Sequence, residues 1–308
     1  MSKELTNTEK NLLEKIADKS EFTGAYNIRE NGKGISRQTT ENVDIVSKTD
    51  KPGIDIIVKE NTKNEFVHIP VMITESGVND LVYNDFYIGK NAEVTIIAGC
   101  GIHNDHHMLS RHDGIHTFYL DEGAKVKYIE KHYGEGEGTG ERILNPKTVV
   151  KLKKGATLEM DSVQIEGVDS TIRETFGELE EDGNFIVSEK IMTHGKQYAK
   201  TVFDVKLNGK NSSTHVISRS VAKDNSKQEF YSNVEGNTEC YGHVECDAII
   251  MDNGVVKAVP EILANSIDAR LIHEAAIGKI AGEQLTKLMT LGLSEKEAEE
   301  KIVNGFLK

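Results

Sequence analysis

Gly89-Lys90-Asn91-Ala92, Glu122-Gly123-Ala124, Lys154-Gly155-Ala156, Asp182-Gly183-Asn184 and Asn208-Gly209-Lys210-Asn211 are small-residue corners that recur through the middle of the chain. Ala92 to Ala124 and Ala124 to Ala156 are both 32 residues, and the next steps, to Asn184 and Asn211, are 28 and 27. A self-similar period of this size is the mark of a stacked-repeat architecture. Between the corners lie Ala92-Glu-Val-Thr-Ile-Ile97, Ala124-Lys-Val-Lys-Tyr-Ile129, Thr148-Val-Val-Lys-Leu152 and Asn184-Phe-Ile-Val-Ser188, which alternate with period two and are rich in β-branched residues. These are strands. Glycine and asparagine fall where the chain must turn with positive φ, so coils stacked about 4.8 Å apart fit better than a sandwich of long hairpins. With only four prolines in the chain, little interrupts a continuous ladder.

The ends read differently. Residues 7–19 carry Leu12, Leu13 and Ile16 at helical spacing, with Thr8 as the cap, and predict a short amphipathic helix. Towards the C-terminus, Ile280, Leu285, Leu288 and Met289 share a helical face that Gly292 ends. Ser294 with Glu297 forms a capping box for a second helix, striped by Ala298, Ile302, Val303 and Phe306. The expectation is therefore a mainly β solenoid in three parts: residues 1–60 as helix and leading strands, 61–262 as the solenoid core, and 263–308 as a C-terminal helical domain. Such a hairpin serves either as a cap over an open core end or as a cap that also binds a partner.

A chain of 308 residues can form one long body with small appendages. The first ten residues lack the apolar stretch of a secretory signal, and no apolar run approaches the roughly 20 residues that span a bilayer, which predicts a cytoplasmic protein without membrane association. Three cysteines, Cys100, Cys240 and Cys246, are too few and too oddly numbered for a disulfide framework and stay available as ligands. Fifty acidic residues against 37 basic give a net charge of −13, which repels a phosphate backbone and argues against nucleic acid as a partner.

Two stretches carry ligand chemistry. In Asn237-Thr-Glu-Cys240-Tyr-Gly-His243-Val-Glu-Cys246-Asp247, followed by Leu271-Ile-His273-Glu274-Ala275, thiolate, imidazole and carboxylate suit iron or zinc. On an unbroken strand Cys240 and Cys246 share one face while His243 and Glu245 take the other, so this strand alone yields no four-ligand set. Cys246 also reads simply as a buried small hydrophobe, and His273 as an ordinary core or surface histidine. The second stretch, Cys100-Gly-Ile-His103-Asn-Asp-His106-His107, continues through His112 and His116 and holds five of the eleven histidines. It reads as a metal-binding segment or as a polar insertion with exposed histidines. No Gly-x-x-x-x-Gly-Lys-Ser/Thr loop is present, so ATP hydrolysis is not expected of this chain, and the acidic run Gly134-Glu-Gly-Glu-Gly-Thr-Gly140 reads as a loop. A Gly-x-Ser-x-Gly elbow is also lacking.

The blocks Val216-Ile-Ser-Arg219-Ser-Val-Ala-Lys223, His243-Val-Glu-Cys246-Asp-Ala-Ile-Ile250, Ala258-Val-Pro260-Glu-Ile262, His273-Glu-Ala-Ala-Ile-Gly-Lys279 and Leu288-Met-Thr-Leu-Gly-Leu-Ser-Glu-Lys-Glu-Ala298, in this order, resemble the core of the SufB/SufD family. The resemblance covers about residues 75–308. It implies a right-handed parallel β-helix that dimerises through its sheets, as a homodimer or a SufB/SufD-type heterodimer, with a SufC-like ABC ATPase on the C-terminal helices. It also implies a scaffold for a transient iron–sulfur cluster, with sulfur arriving from a cysteine desulfurase or another donor. Cys246 matches the family's interface cysteine and proposed cluster ligand, and His273 and Glu274 match the His-Glu pair of SufB-type chains. Cys240 and Cys100 are weaker candidates for sulfur entry or metal binding, as are His103, His106 and His107 for metal. The expected arrangement brings Cys246 of two copies near a dyad, with His273 and Glu274 completing the ligation. The alternatives are a SufD-like structural partner without its own cluster and a β-helix enzyme acting on polysaccharide.

Overall fold

The computed structural model describes residues 5–308; Met1–Glu4, the start of the 1–60 segment, lie outside the described residues. Strands wind the chain into a parallel solenoid of about eight turns with two ten-stranded sheets as its faces. Sheet A stacks Ala25–Glu30, Glu65–Ile73, Glu93–His103, Lys125–Glu135, Thr157–Glu166, Asn184–Thr193, Ser212–Ala222, Cys240–Ile250 and Ala269–Gly278. Sheet B stacks Gly53–Val58, Asn79–Ile88, Ser110–Leu120, Lys147–Leu152, Ser170–Leu179, Tyr198–Leu207, Lys227–Gly236 and Val255–Ala264. Antiparallel pairing occurs at the start, where Lys33–Gln38 joins Ala25–Glu30 and Val43–Ser47 joins Gly53–Val58.

Because long stretches of the ladder pair without a register shift, inward residues lie over inward residues from coil to coil. The inner rows form one core in which Phe86 stacks on Phe118 at 4.3 Å and Tyr128 meets Phe118 edge-on at 5.0 Å. The corners fall where the sequence places them. Asn91 (φ 55°), Gly123 (67°), Gly155 (69°), Asp182 (55°) and Asn211 (58°) are all left-handed. In the fourth corner Asp182 adopts that conformation instead of Gly183, since a short carboxylate tolerates it almost as an amide does.

Helix α1 (Asn7–Ala17) is capped by Thr6, whose side chain accepts from the Glu9 amide while Glu9 reaches back to the Thr6 amide. The cap therefore lies two residues before the expected Thr8, because Glu9 completes a capping box only with Thr6. Leu12, Leu13 and Ile16 bury against Ile28 and Met72. The helix lies on the outer side of the strand Glu93–His103, where a Cβ on Gly99 would fall 2.2 Å from the Ile16 carbonyl oxygen and one on Gly101 would fall 2.6 Å from Leu12 Cδ1. Two glycines thus form the helix's seat.

The C-terminal division moves. Val255–Ala264 and Ala269–Gly278 form the last coil, so the solenoid continues past residue 263 and the helices begin at α2 (Gly282–Thr290) and α3 (Glu295–Phe306). The ladder continues because Val255-Val-Lys-Ala-Val and Ala269-Arg-Leu-Ile keep the β-rich alternation of earlier coils. At the other end, parallel stacking begins before residue 61, since Gly53–Val58 pairs with Asn79–Ile88. Nor does the hairpin cap the open core end: Val303, Phe306 and Leu307 of α3 and its C-cap pack on Val221, Met192 and Ile249, on the outer face of sheet A. The Arg219 guanidinium donates to the Phe306 carbonyl at 3.4 Å and Lys190 to the Lys308 carbonyl at 2.8 Å. The last coil has a neighbour on one side only, leaving Val255–Ala264 and Ala269–Gly278 as edge strands.

An alanine at 155 must hold a left-handed backbone, whereas asparagine already does so in two other corners, at Asn91 and Asn211. Gly155→Ala is expected to lower unfolding stability by about 1 kcal/mol. Gly155→Asn should lose clearly less, measured by urea unfolding of both variants.

Candidate cluster site at the open end of the solenoid

Along Cys240–Ile250, Cys240, Gly242, Val244, Cys246 and Ala248 face the core while His243, Glu245 and Asp247 face out, as the even spacing of the two thiols requires. Gly242 is needed here: a Cβ would lie 2.8 Å from Leu271 Cδ2 of the next coil and 2.9 Å from Val234 Cγ1 of the opposite sheet. Cys246 is buried, with Ser218 before it and Ala275 after it in the ladder. It borders a narrow interior gap together with Glu189, Ser218 and Phe230. Burial, reinforced by the charges of Glu189 and Asp247, pushes its thiol up to about 12, so it is protonated near neutrality and reactive only when a metal displaces the proton.

His273 sits one coil further out on the same inner face, beside Val244. Its Nδ1 is 3.4 Å from Ser232 Oγ, and its buried Nε2 has no hydrogen-bond partner. Burial, with a contribution from His243, lowers its pKa and keeps the imidazole neutral and able to donate a lone pair. Glu274 follows on the strand and therefore points to the outside, where it is 65% exposed and lies 3.5 Å from His243 Nε2, beside Glu245. Cys246 and His273 thus share the interior, whereas Glu274 lies on the other side of the sheet. The three do not converge within one chain, and no three His, Cys, Asp or Glu side chains are gathered for a metal among the described residues. An extended strand cannot send His273 and Glu274 to one face.

Cys240 is also an inward thiol with its pKa raised by burial, but six strand residues put it about 20 Å from Cys246, too far to share an ion. The histidine-rich stretch divides in two. His103 is held between Glu135 (3.0 Å) and Asp105 (2.9 Å) on the rim; burial pulls its pKa down, yet these two hydrogen bonds outweigh that and the net shift is upward. His106 and His107 are exposed in the following loop, with His107 Nδ1 2.7 Å from Thr139 Oγ1. Cys100, His112 and His116 instead point inside the solenoid.

There they join a buried polar network that the sequence reading missed. The Arg173 guanidinium donates to Glu130 Oε2 (3.0 Å), to Ser162 Oγ and, in one tautomer, to His132 Nδ1 (3.0 Å), and its Nε lies 3.3 Å from Glu189 Oε2. Thr201 and Ser218 also donate to Glu189, so the polar row runs from the neighbourhood of Cys100 to that of Cys246. Burial opposes ionisation of Glu130, but His132 and Arg173 more than reverse this and hold the carboxyl well below its ordinary range. The signal was present: Val126, Tyr128, Glu130 and His132 share strand parity, so a core-facing row that begins apolar must end charged.

Comparison with known proteins gives the same identification. The family described as SUF system FeS cluster assembly, SufBD core domain, matches residues 75–306. An iron-sulfur cluster assembly SufBD family protein of Methanocaldococcus jannaschii is 28% identical over 255 residues, 82% of this chain and 79% of the relative. A SufBD family protein of Methanothermobacter thermautotrophicus is 30% identical over 244 residues, 77% of this chain but 57% of the relative's length. The iron-sulfur cluster assembly protein SufB of Bacillus subtilis is 38% identical over 104 residues, 32% of this chain and 22% of that protein.

Two measurements test the network. Arg173→Ala leaves two buried carboxylates without their cation and is expected to lower unfolding stability by about 3–5 kcal/mol, read from denaturant midpoints. His116 is held neutral by burial, its pKa lowered from 6.5 to about 4. Its folded value is depressed, so its contribution to stability is complete above pH 6.5 and is lost as pH falls towards 4. A series of melting temperatures across that window should fall less steeply in His116→Gln.

Proposed function

Because this chain belongs to the SufBD family of iron–sulfur cluster assembly proteins, matched over residues 75–306, we propose that it is a scaffold on which a nascent cluster is held at the junction of two copies. The observation that carries this reading is the pairing of Cys246 with His273 on the inner face of an uncovered solenoid end: one protected thiol, and one neutral imidazole whose Nε2 lacks a partner. Thiolate and imidazole are ligands for iron. Two strands with unused backbone groups border the site, and a second copy or a SufD-type partner that pairs there doubles every donor by symmetry or near-symmetry. Within one chain Glu274 cannot share an iron with Cys246, so its place in the ligand set depends on that second subunit. Two donors per chain hold a cluster incompletely, which suits cargo that must leave.

The chain is not itself the ATPase in this reading. A SufC-like ABC ATPase binds the C-terminal hairpin, whose α2 buries none of its residues and leaves Met289 and, in the turn that follows, Leu291 exposed. Its closure would pull on α3, which is fastened to sheet A beside the cluster strands. Sulfur comes from a cysteine desulfurase or a comparable donor, and the setting is the cytoplasm. No described helix is long and apolar enough to cross a membrane. The separation of Glu274 from Cys246 favours one second reading, a SufD-like partner that binds the ATPase without a cluster of its own.

Oxygen-free reconstitution with iron and sulfide is expected to give cluster absorption that falls by most of its amplitude in Cys246→Ala and in His273→Ala. Equal iron and sulfide content in wild type and both variants would remove these ligands and the scaffold reading with them. Co-purification with the ATPase but without iron would establish the second reading.

A further inference from the structure

Inside the solenoid, far along the chain from Cys246, His112, Gly114 and His116 lie on the inner face of the strand Ser110–Leu120. The hydrogen bonds around the two imidazoles fix their tautomers. His112 Nδ1 is 3.0 Å from Asp80 Oδ2, and that carboxylate already accepts two bonds from Arg29, so Nδ1 must be the donor. His116 Nδ1 is 2.7 Å from the Tyr128 hydroxyl, which gives its own hydrogen to Glu130 Oε1 at 3.0 Å, so here too Nδ1 donates. With the proton on Nδ1, Nε2 of each imidazole is an acceptor lone pair. They converge: a Cβ built on Gly114 would lie 3.2 Å from His116 Nε2 and 3.4 Å from His112 Nε2. His112 Nε2 has no partner, and His116 Nε2 has a long contact of 3.4 Å from the Asn84 amide.

The His112 lone pair faces this gap unpartnered and that of His116 is engaged only by the Asn84 amide at 3.4 Å, so a positive group between the two nitrogens would satisfy both. A water molecule requires roughly 10–15 Å³ of open volume, and the cavity lined by Cys100, His112, Gly114 and His116 offers essentially none. A bare cation that binds imidazole at about 2.0–2.1 Å does not have that requirement. The outer shell is also of the kind metal sites use, with each imidazole oriented through its far nitrogen by a carboxylate, Asp80 directly and Glu130 through Tyr128.

We propose that this gap is a binding site for one borderline divalent cation, zinc or ferrous iron, ligated by Nε2 of His112 and Nε2 of His116, with the Cys100 thiol on the cavity wall as the third donor. No three donors already surround one point among the described residues, so binding includes rotation of Cys100 onto the ion and release of the thiol proton to solvent. It is separate from the open-end site and does not depend on cluster assembly there.

Cobalt(II) is the probe, because its spectrum reports both geometry and thiolate. The parent is the full chain carrying Cys246→Ala, His103→Gln, His106→Gln and His107→Gln, which removes the open-end thiol and the outer histidines. It is expected to bind one cobalt per chain with ligand-field bands and a thiolate-to-cobalt charge-transfer band. Gly114→Ala, which keeps every ligand and fills the gap, should weaken binding by at least about tenfold. Cys100→Ser should keep the ligand-field bands and lose the charge-transfer band. Absence of cobalt binding in the folded parent overturns the site, as does undiminished affinity in folded Gly114→Ala. Should Gly114→Ala fail to fold, a charge-transfer band that survives in Cys100→Ser overturns the ligand set.

Discussion

The parallel hydrogen-bond ladder runs through stacked coils in register, and this constraint decides which side chains ever meet. In a ladder of this kind the inside and outside of every coil are inherited from the coil before it. A slip of one residue would exchange Cys246 with Asp247 and Glu130 with Lys131, sending thiol and carboxylate out and lysine in. The chemistry of this protein is therefore a matter of odd and even positions, and its corners exist to keep the count.

The interior is not a simple apolar core. One guanidinium serves two carboxylates, and several histidines are kept neutral by burial beside ions that are kept charged by their partners. Replacing such a cluster with hydrophobic residues commonly leaves stability unchanged or improved, so stability alone gives little reason for it. Its position, between the coil of Cys100 and that of Cys246, places the charged interior between two protected thiols.

Much of this could be read from the sequence. The corners from Asn91 to Asn211 gave the repeat, and the even spacing of Cys240 and Cys246 gave their common face. The ordered blocks from Val216 to Ala298 pointed to the family. What escaped was whatever depends on which strands become neighbours. His273 and Glu274 look like one motif in the sequence, yet adjacent strand residues part to opposite faces. The histidine-rich stretch looks like one cluster, yet His103, His106 and His107 stay on the rim and outer loop while His112 and His116 enter the core. Arg173 gave no sign of its partners because Glu130 and Glu189 come from coils on either side of its own. The helical hairpin was legible as helices, but its docking face depended on Val221 and Ile249 becoming outward neighbours.

Cohesion in a stack of this kind comes from nearest neighbours, so an interior coil is gripped twice and a terminal coil once. His273 and Glu274 belong to the coil gripped once. On that ground amide hydrogens there should exchange through the smallest opening, with the body behind left undisturbed. A cluster held as proposed would rest against a wall with one neighbour, while Cys246 lies one coil deeper, between two. Its release would then require only that the outermost layer loosen.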